Sequence, residues 1–232
     1  MKLQLGSGLL ALALMAGPIA ADAAEIKVSI TVDNSYALFY GTEFAATTFV
    51  GTDGSWPTTE TYTFDLPSDS FLYVVTASDL SVAQGFLGQF ENLDEGYKFY
   101  SNDPQWEVMA TGLGSAAPYS GSPADLALLT SEILDANAGG NPSGGWTGLT
   151  AGPTNGAAPW GLRPDIDPAA RWVWYSSNGD TDPTTPGFNH DEWLVFRIAV
   201  DAEPVTPVPE PGSLALLAVG LIGLATLRRR FA

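Results

Sequence analysis

The stretch of sequence that decides the fold is "IKVSITVDNSYALFY", residues 26–40. Apolar residues recur at every second position from Ile26 to Val32, which is the period of a β-strand with one buried face. Asp33 and Asn34 tolerate turn conformations, and a second β-branched and aromatic run follows them. The stretch therefore predicts two strands joined by a turn, arranged as a β-hairpin.

The same alternation continues on both sides of this stretch. "TETYTFDL" (59–66) alternates cleanly, whereas "FLYVVTA" (71–77) is almost continuously apolar, as expected for a strand covered on both faces. Near the far end of the domain, "ARWVWYSS" places Trp172 and Trp174 two residues apart, which predicts that both indoles lie on one buried face. Many short strands separated by turn signals predict an antiparallel β-sandwich or jelly roll over residues 24–200.

One helix is predicted inside this β-rich region, over residues 123–137. Ser122 is a favoured N-cap, Pro123 suits the first helical turn, and Asp125 places a negative charge near the helix N-terminus. An apolar stripe follows, and Gly139 is a residue typical of a helix end. We expect this helix to pack at a sheet edge or at one end of the sandwich.

The first 23 residues have the features of a secretory signal peptide. A basic start is followed by the apolar run "LLALALMAG" and by a region of small residues that ends at Ala23. The predicted cleavage lies before Ala24, and the signal implies export by the Sec machinery.

Charge and composition exclude several functions. Between Glu25 and Pro207 there are five basic residues against 24 acidic ones, a net charge near −19. A domain of this charge repels nucleic acids and anionic membrane surfaces. The chain has no cysteine, which excludes disulfides, thiolate metal sites and cysteine nucleophiles, and its single histidine excludes metal sites built on several imidazoles.

The C-terminal part of the chain changes character. Residues 201–208 form a proline-containing acidic linker, and an uncharged apolar run then leads to Arg228, Arg229 and Arg230. As a helix, residues 213–227 would span 15 residues, about 22 Å at roughly 1.5 Å per residue, which is short against a hydrocarbon core of about 30 Å. The run is apolar on every face, unlike a core helix, and the arginines satisfy the positive-inside rule. A transmembrane helix at 213–227 is therefore predicted, as part of a signal rather than a permanent anchor.

The tail "VPEPGSLALLAVGLIGLATLRRR" (208–230) closely resembles the PEP-CTERM sorting signal, which combines a Pro-Glu-Pro motif, a transmembrane run and a basic cluster. Pro209, Glu210 and Pro211 match the motif completely, so the predicted signal covers residues 209–232. The resemblance implies recognition by an exosortase, transient anchoring in the inner membrane, and delivery to the cell surface or the extracellular space of a host that makes exopolysaccharide.

The order of segments in the domain is weakly similar to galactose-binding-like β-sandwich modules. The similarity lies in "ITVDNSYALFYGTEF" (30–44), "GSWPTTETYTFDL" (54–66) and "FLYVVTASDLSVAQGFLGQFE" (71–91). It implies a sandwich that binds sugars or calcium through its end loops, but fold analogy alone assigns no activity.

Two kinds of binding residue are candidates in the loops. Asp180, Asp182, Asp191 and Glu192 bracket one loop, and their carboxylates are suitable Ca²⁺ ligands. Their spacing matches no calcium consensus, so a solvated acidic loop is the alternative interpretation. His190 lies in this loop without a local serine partner, which favours a structural histidine over a general base.

Trp146 and Trp160 lie in a long loop rich in glycine and proline. An exposed indole in such a loop stacks on a sugar ring, whereas a buried one anchors the loop to the core. Both alternatives remain open from the sequence. No nucleophile elbow, phosphate-binding loop or zinc-protease motif occurs, and no pair of carboxylates stands out as a glycosidase pair.

These observations predict a non-enzymatic, exported surface or matrix protein associated with exopolysaccharide. A carbohydrate-binding, lectin-like module is the alternative, and a carbohydrate-active enzyme on the same scaffold is a third. No cofactor is expected apart from the candidate calcium ion.

Overall fold

The computed structural model describes residues 23–77, 83–114, 120–177, 184 and 192–200. Within these residues the chain forms eleven β-strands and one α-helix. In chain order they are β1 (Ala23–Asp33), β2 (Ser35–Thr42), β3 (Ala45–Asp53), β4 (Glu60–Pro67), β5 (Ser70–Ala77), β6 (Gly85–Asn92), β7 (Tyr97–Tyr100), β8 (Glu107–Gly114), α1 (Pro123–Ala138), β9 (Thr150–Thr154), β10 (Arg171–Trp174) and β11 (Glu192–Val200).

The strands form two antiparallel sheets. The six-stranded sheet has the order β4-β1-β6-β10-β9, with β7 also paired to β6, and the five-stranded sheet has the order β3-β2-β5-β11-β8. The predicted class, a mainly β protein with two antiparallel sheets and one helix, is confirmed for the described residues, and the arrangement is consistent with a β-sandwich.

The strands of residues 26–40 do not form the predicted hairpin. β1 pairs with β4 and β6 in one sheet, whereas β2 pairs with β3 and β5 in the other. Asn34 lies at the crossing, and its N–H donates to the carbonyl of Ala77, 3.1 Å away. The prediction failed because a turn signal marks a change of direction but does not choose the strand partners, which are distant in sequence.

The main core lies between the sheets and follows the alternation of their strands. Every second residue of β1 from Ile26 to Val32 is at most 1% exposed and faces this core. The five-stranded sheet contributes Leu38, Val74 and Phe196 from adjacent strands. Burial of these apolar faces is the main favourable term in the folding of such a sandwich.

Helix α1 covers the outer face of the five-stranded sheet, next to its edge strand β3. The Ser122 hydroxyl accepts a hydrogen bond from the N–H of Asp125 at 3.2 Å, and Gly139 ends the helix in a left-handed conformation at φ 74°. The predicted helix is thus confirmed, one residue longer than expected. Its buried side chains pack on outward residues of the sheet, among them Ala37, Phe39, Tyr73, Val75 and Val195.

Both faces of β5 are buried, as its apolar sequence predicts. Leu72 and Val74 face the core between the sheets, whereas Tyr73 and Val75 face the helix layer. Burial raises the pKa of the Tyr73 hydroxyl, which donates a hydrogen bond to the carbonyl of Thr42.

Residues 1–22 of the predicted signal peptide, the linker, the transmembrane helix 213–227 and the sorting motif lie outside the described residues. Ala23, the last residue of the predicted signal peptide, is the first residue of β1 and pairs with Pro67. Among the described residues, no helix has the length and apolar character needed to span a membrane.

Candidate functional site

Trp160 lies against the outer face of the six-stranded sheet and is 4% exposed. Its ring stacks on that of Trp172, with centroids 4.2 Å apart and planes inclined by 20°. Its Nε1–H donates to Oδ2 of Asp33 at 2.6 Å, in a buried position. Of the two alternatives for this indole, the structure favours the loop anchor, because a buried ring has no face to offer to a sugar.

The loop that carries Trp160 is closed by one buried asparagine. Asn155 donates from its amide to the carbonyls of Arg163 and Ile166, and its Oδ1 accepts from the N–H of Arg163 at 2.7 Å. These three hydrogen bonds satisfy loop backbone groups that the chain buries when it covers the sheet. The segment rich in glycine and proline is therefore a covering layer of the domain.

Trp146 lies on the opposite side of the molecule and is half-buried near the end of α1. Its Nε1–H donates to Oδ1 of Asn137 at 2.7 Å, and the guanidinium carbon of Arg197 lies 3.8 Å from its ring centroid. One face of the indole is therefore occupied by a cation. Trp146 and Trp160 lie on different sheets, so the structure does not bring them together in one sugar site.

Arg197 was missed by the sequence reasoning, although it occupies an outward position of β11 in an otherwise apolar segment. It is 7% exposed, and its Nε and Nη2 both contact Oε2 of Glu107 at 2.8 Å. Its Nη1 donates to Oδ1 of Asn137 at 3.1 Å. The charge is thus paired and hydrogen-bonded, as a buried cation requires.

Trp172 and Trp174 are both fully buried, which confirms that they pack in the core. They do not share a face: Trp172 joins the outer cluster with Trp160, whereas Trp174 contacts Phe196 in the central core. The expectation that both indoles share one face is therefore wrong: Trp172 stacks on Trp160 of the covering loop, and Trp174 is the last residue of β10.

The candidate calcium ligands Asp180, Asp182 and Asp191 lie outside the described residues, as does His190. Only the backbone of Glu192, the first residue of β11, is described. Within the described part of the chain, no group of three or more acidic, histidine or cysteine side chains is arranged to hold a metal ion. The calcium site and its alternative both stay predictions.

An open cleft of about 250 Å³ lies at one side of the sandwich, between β7 and the end of β11. Its lining comprises Tyr97, Lys98, Phe99, Asp103, Gln105, Ile198, Ala199 and Val200. The pairing of β8 with β11 extends only to Arg197, which leaves the last residues of β11 unpaired on that side. The sequence pattern did not predict this cleft, because the cleft forms where two strands of different sheets end.

Comparison with known proteins identifies the C-terminal segment of the chain. Residues 207–230 match the model of the PEP-CTERM protein-sorting motif. No curated protein and no solved structure matches the chain. The resemblance of the domain to galactose-binding-like modules therefore stays a prediction.

This match confirms the sorting signal predicted from Pro209, Glu210 and Pro211 and from the three terminal arginines. The motif marks an exported protein targeted to an exosortase. An exosortase is accordingly its processing partner, and processing at the membrane precedes surface localisation. The chain thus carries a PEP-CTERM sorting signal behind a β-rich domain.

Proposed function

We propose that the domain is a non-enzymatic component of the cell surface or extracellular matrix, released from the membrane by exosortase processing and associated with exopolysaccharide. The observation that carries this proposal is the sorting motif at residues 207–230. The net charge of the domain, near −19, suits a protein that stays soluble in a hydrated polymer.

The covered outer faces of the two sheets support a structural role. Helix α1 lies over one sheet and the loop around Trp160 over the other. The tryptophans that were candidates for sugar stacking are used to fasten these layers, by hydrogen bonds to Asn137 and Asp33. The domain thus uses these aromatic side chains for stability, which a protein without disulfides needs outside the cell.

A carbohydrate-binding module is the second candidate function. It is favoured by the cleft beside β7, which combines aromatic lining residues with an acid and an amide. A carbohydrate-active enzyme would use a pair of carboxyl groups across its cleft. Asp103 is the one carboxylate among the residues that line the described cleft, which supports binding over hydrolysis.

The proposal is tested in the host. The mature protein is followed through fractionation of cells, matrix and medium, and its termini are read by mass spectrometry. We expect loss of residues 1–23 and of the apolar tail, with the mature protein in the exopolysaccharide fraction. Release of that protein from the fraction by digestion of the polysaccharide supports association. A processed protein found free in the medium, or one that generates new reducing ends from the polymer, contradicts the proposed role.

A further inference from the structure

We propose that the cleft beside β7 binds one sugar residue of a polysaccharide chain. In this site Tyr97 is the stacking platform, and Asp103 and Gln105 bind the sugar hydroxyls. The proposal deepens the proposed function and rests on it for the identity of the polymer.

One wall of the cleft is aromatic, and further aromatic rings hold it in place. The ring of Tyr97 lies 6.3 Å from that of Phe99, and Phe99 stacks on Phe90 with centroids 5.0 Å apart and planes inclined by 11°. Phe90 and Phe99 are buried, whereas Tyr97 is only half-buried. A partly exposed ring fixed by buried neighbours is preorganised to receive the apolar C–H face of a sugar, because little freedom is lost on binding.

The opposite wall is formed by the last residues of β11. Ile198 and Val200 of β11 are 3% and 6% exposed and face the same inter-sheet space as Phe99. Lys98 lines the cleft too, but its ammonium points to the other face of β7, where its Nζ lies 3.4 Å from Oε2 of Glu91. Buried apolar side chains therefore lie behind both walls of the cleft, and its hydrogen-bonding side chains lie at the rim.

The rim carries planar polar groups in a rigid turn. Oδ1 of Asp103 accepts from the N–H of Gln105 at 2.9 Å, and the carbonyl of Asp103 accepts from the N–H of Trp106 at 3.1 Å. The second carboxylate oxygen of Asp103 is a hydrogen-bond acceptor. The exposed amide of Gln105 both donates and accepts hydrogen bonds. Adjacent hydroxyls of a sugar present the matching combination of donors and acceptors.

The size and position of the cleft define the ligand further. A volume of about 250 Å³ is below the range of roughly 300–1,000 Å³ found for pockets that enclose a drug-sized molecule. It suits a single ring of a chain that continues into solvent at both ends. The cleft lies at one side of the sandwich, beyond the end of the pairing between β8 and β11.

The test uses the mature protein purified from its host, with the host exopolysaccharide, a galactan, a β-glucan and chitin oligosaccharides as probes. Affinity is measured by titration calorimetry for wild-type protein and four variants. We expect Gln105→Ala and Tyr97→Ala to weaken binding of the preferred probe at least tenfold. Tyr97→Phe keeps the ring and should bind more tightly than Tyr97→Ala. Leu162→Ala, at an exposed residue that does not line the cleft, should stay within about twofold of wild type.

Gln105→Ala should leave the fold intact, because it removes an exposed side chain that does not pack in the core. Thermal unfolding checks that each variant is folded. The proposed sugar site is wrong if binding survives both Gln105→Ala and Tyr97→Ala. It is also wrong if the wild-type protein binds none of the probes. Matrix fractionation separates this failure from that of the proposed function. If the wild type and Gln105→Ala remain equally in the exopolysaccharide fraction, only the cleft is wrong; if the wild type is absent from it, the proposed function is wrong.

Discussion

The guanidinium carbon of Arg197 lies 3.8 Å from the centroid of the Trp146 ring, so a buried cation covers an indole that the sequence offered as a sugar platform. The same guanidinium contacts Glu107 and Asn137, which fixes it between the sheet and the end of α1. Asn137 in turn accepts from the indole N–H of Trp146. The loop, the helix and the five-stranded sheet are thus joined by one polar network.

Substitution Arg197→Ala should lower the free energy of unfolding by about 3 kcal/mol. This is the lower end of the range for breaking a buried pair, because Glu107, with 45% of its side chain exposed, still reaches water. The loss of the cation–π contact with Trp146 adds to the effect. Urea unfolding followed by tryptophan fluorescence measures the change.

The chain contains a matched control for this prediction. Lys98 and Glu91 are also directly opposite each other on neighbouring strands, but their pair is exposed, with 44% of the Lys98 side chain accessible. Lys98→Ala should therefore cost less than about 1 kcal/mol. An equal decrease in the free energy of unfolding of the two variants would show that the burial of Arg197 does not add to stability.

Trp160 should behave as a core residue in spite of its loop position. We expect Trp160→Ala to cost roughly 3–5 kcal/mol, as for a large aromatic core residue. Trp160→Phe retains a ring against Trp172 but removes the hydrogen bond to the buried Asp33, at a cost of about 1–3 kcal/mol. Leu162→Ala in the same loop, where Leu162 is 61% exposed, should change stability by no more than about 0.5 kcal/mol. Similar small effects at both positions would contradict the anchoring role.

Asp125 should make the stability of the domain depend on pH in the acidic range. Hydrogen bonds from the hydroxyl and the N–H of Ser120 hold the pKa of Asp125 below its ordinary value of 3.8. Because folding lowers this pKa, the stabilisation is fully present above about pH 3.8 and is lost as the pH falls through the folded value. The difference in melting temperature between wild type and Asp125→Asn should thus be constant near neutrality and shrink below pH 3.8.

A second aspartate of the same helix provides the comparison. Asp135 lies in the last turn of α1, where a negative charge faces the negative end of the helix dipole. Asp135→Asn should leave the melting temperature at pH 7 unchanged or raise it, whereas Asp125→Asn lowers it. A pH-independent difference for Asp125→Asn would rule out its carboxylate as the stabilising group.

The sorting signal predicts a clear phenotype in the host. Glu210→Ala, or deletion of Arg228, Arg229 and Arg230, should leave the protein with its tail and in the inner-membrane fraction. We expect this because both changes fall within the sorting motif at residues 207–230, in which the arginines satisfy the positive-inside rule. Intact mass and membrane fractionation give the result, and Glu203→Ala in the linker is the matched control. Normal tail removal in the first two variants would exclude exosortase processing.

Local features of the fold could be predicted from the sequence. The helix over residues 123–137 was confirmed because its start and end depend on neighbouring residues, namely Ser122 and Gly139. The double-sided burial of β5 was also evident, since the run from Phe71 to Ala77 has no polar face.

Pairings between distant residues could not be predicted in this way. β1 and β2 are separated by a single residue yet belong to different sheets, because each already has two partners drawn from elsewhere in the chain. The prediction that Trp172 and Trp174 share a face was wrong, because Trp172 packs against Trp160 of a distant loop whereas Trp174 contacts Phe196 of the other sheet. Neither event leaves a signal in the local period of two.

The sequence by itself determined that this protein carries an export and sorting signal, since the sorting motif is one contiguous stretch, residues 207–230. The sequence also determined the strand-rich class, because the alternation of apolar and polar residues that defines a half-buried strand is a local sequence pattern. Only the tertiary structure decided that Trp146 contacts Arg197, that Trp160 is bound by Asp33, and that Tyr97 and Val200 line one open cleft. Such contacts join residues far apart in the chain, and their energies arise only when the two sheets and their covering layers have packed.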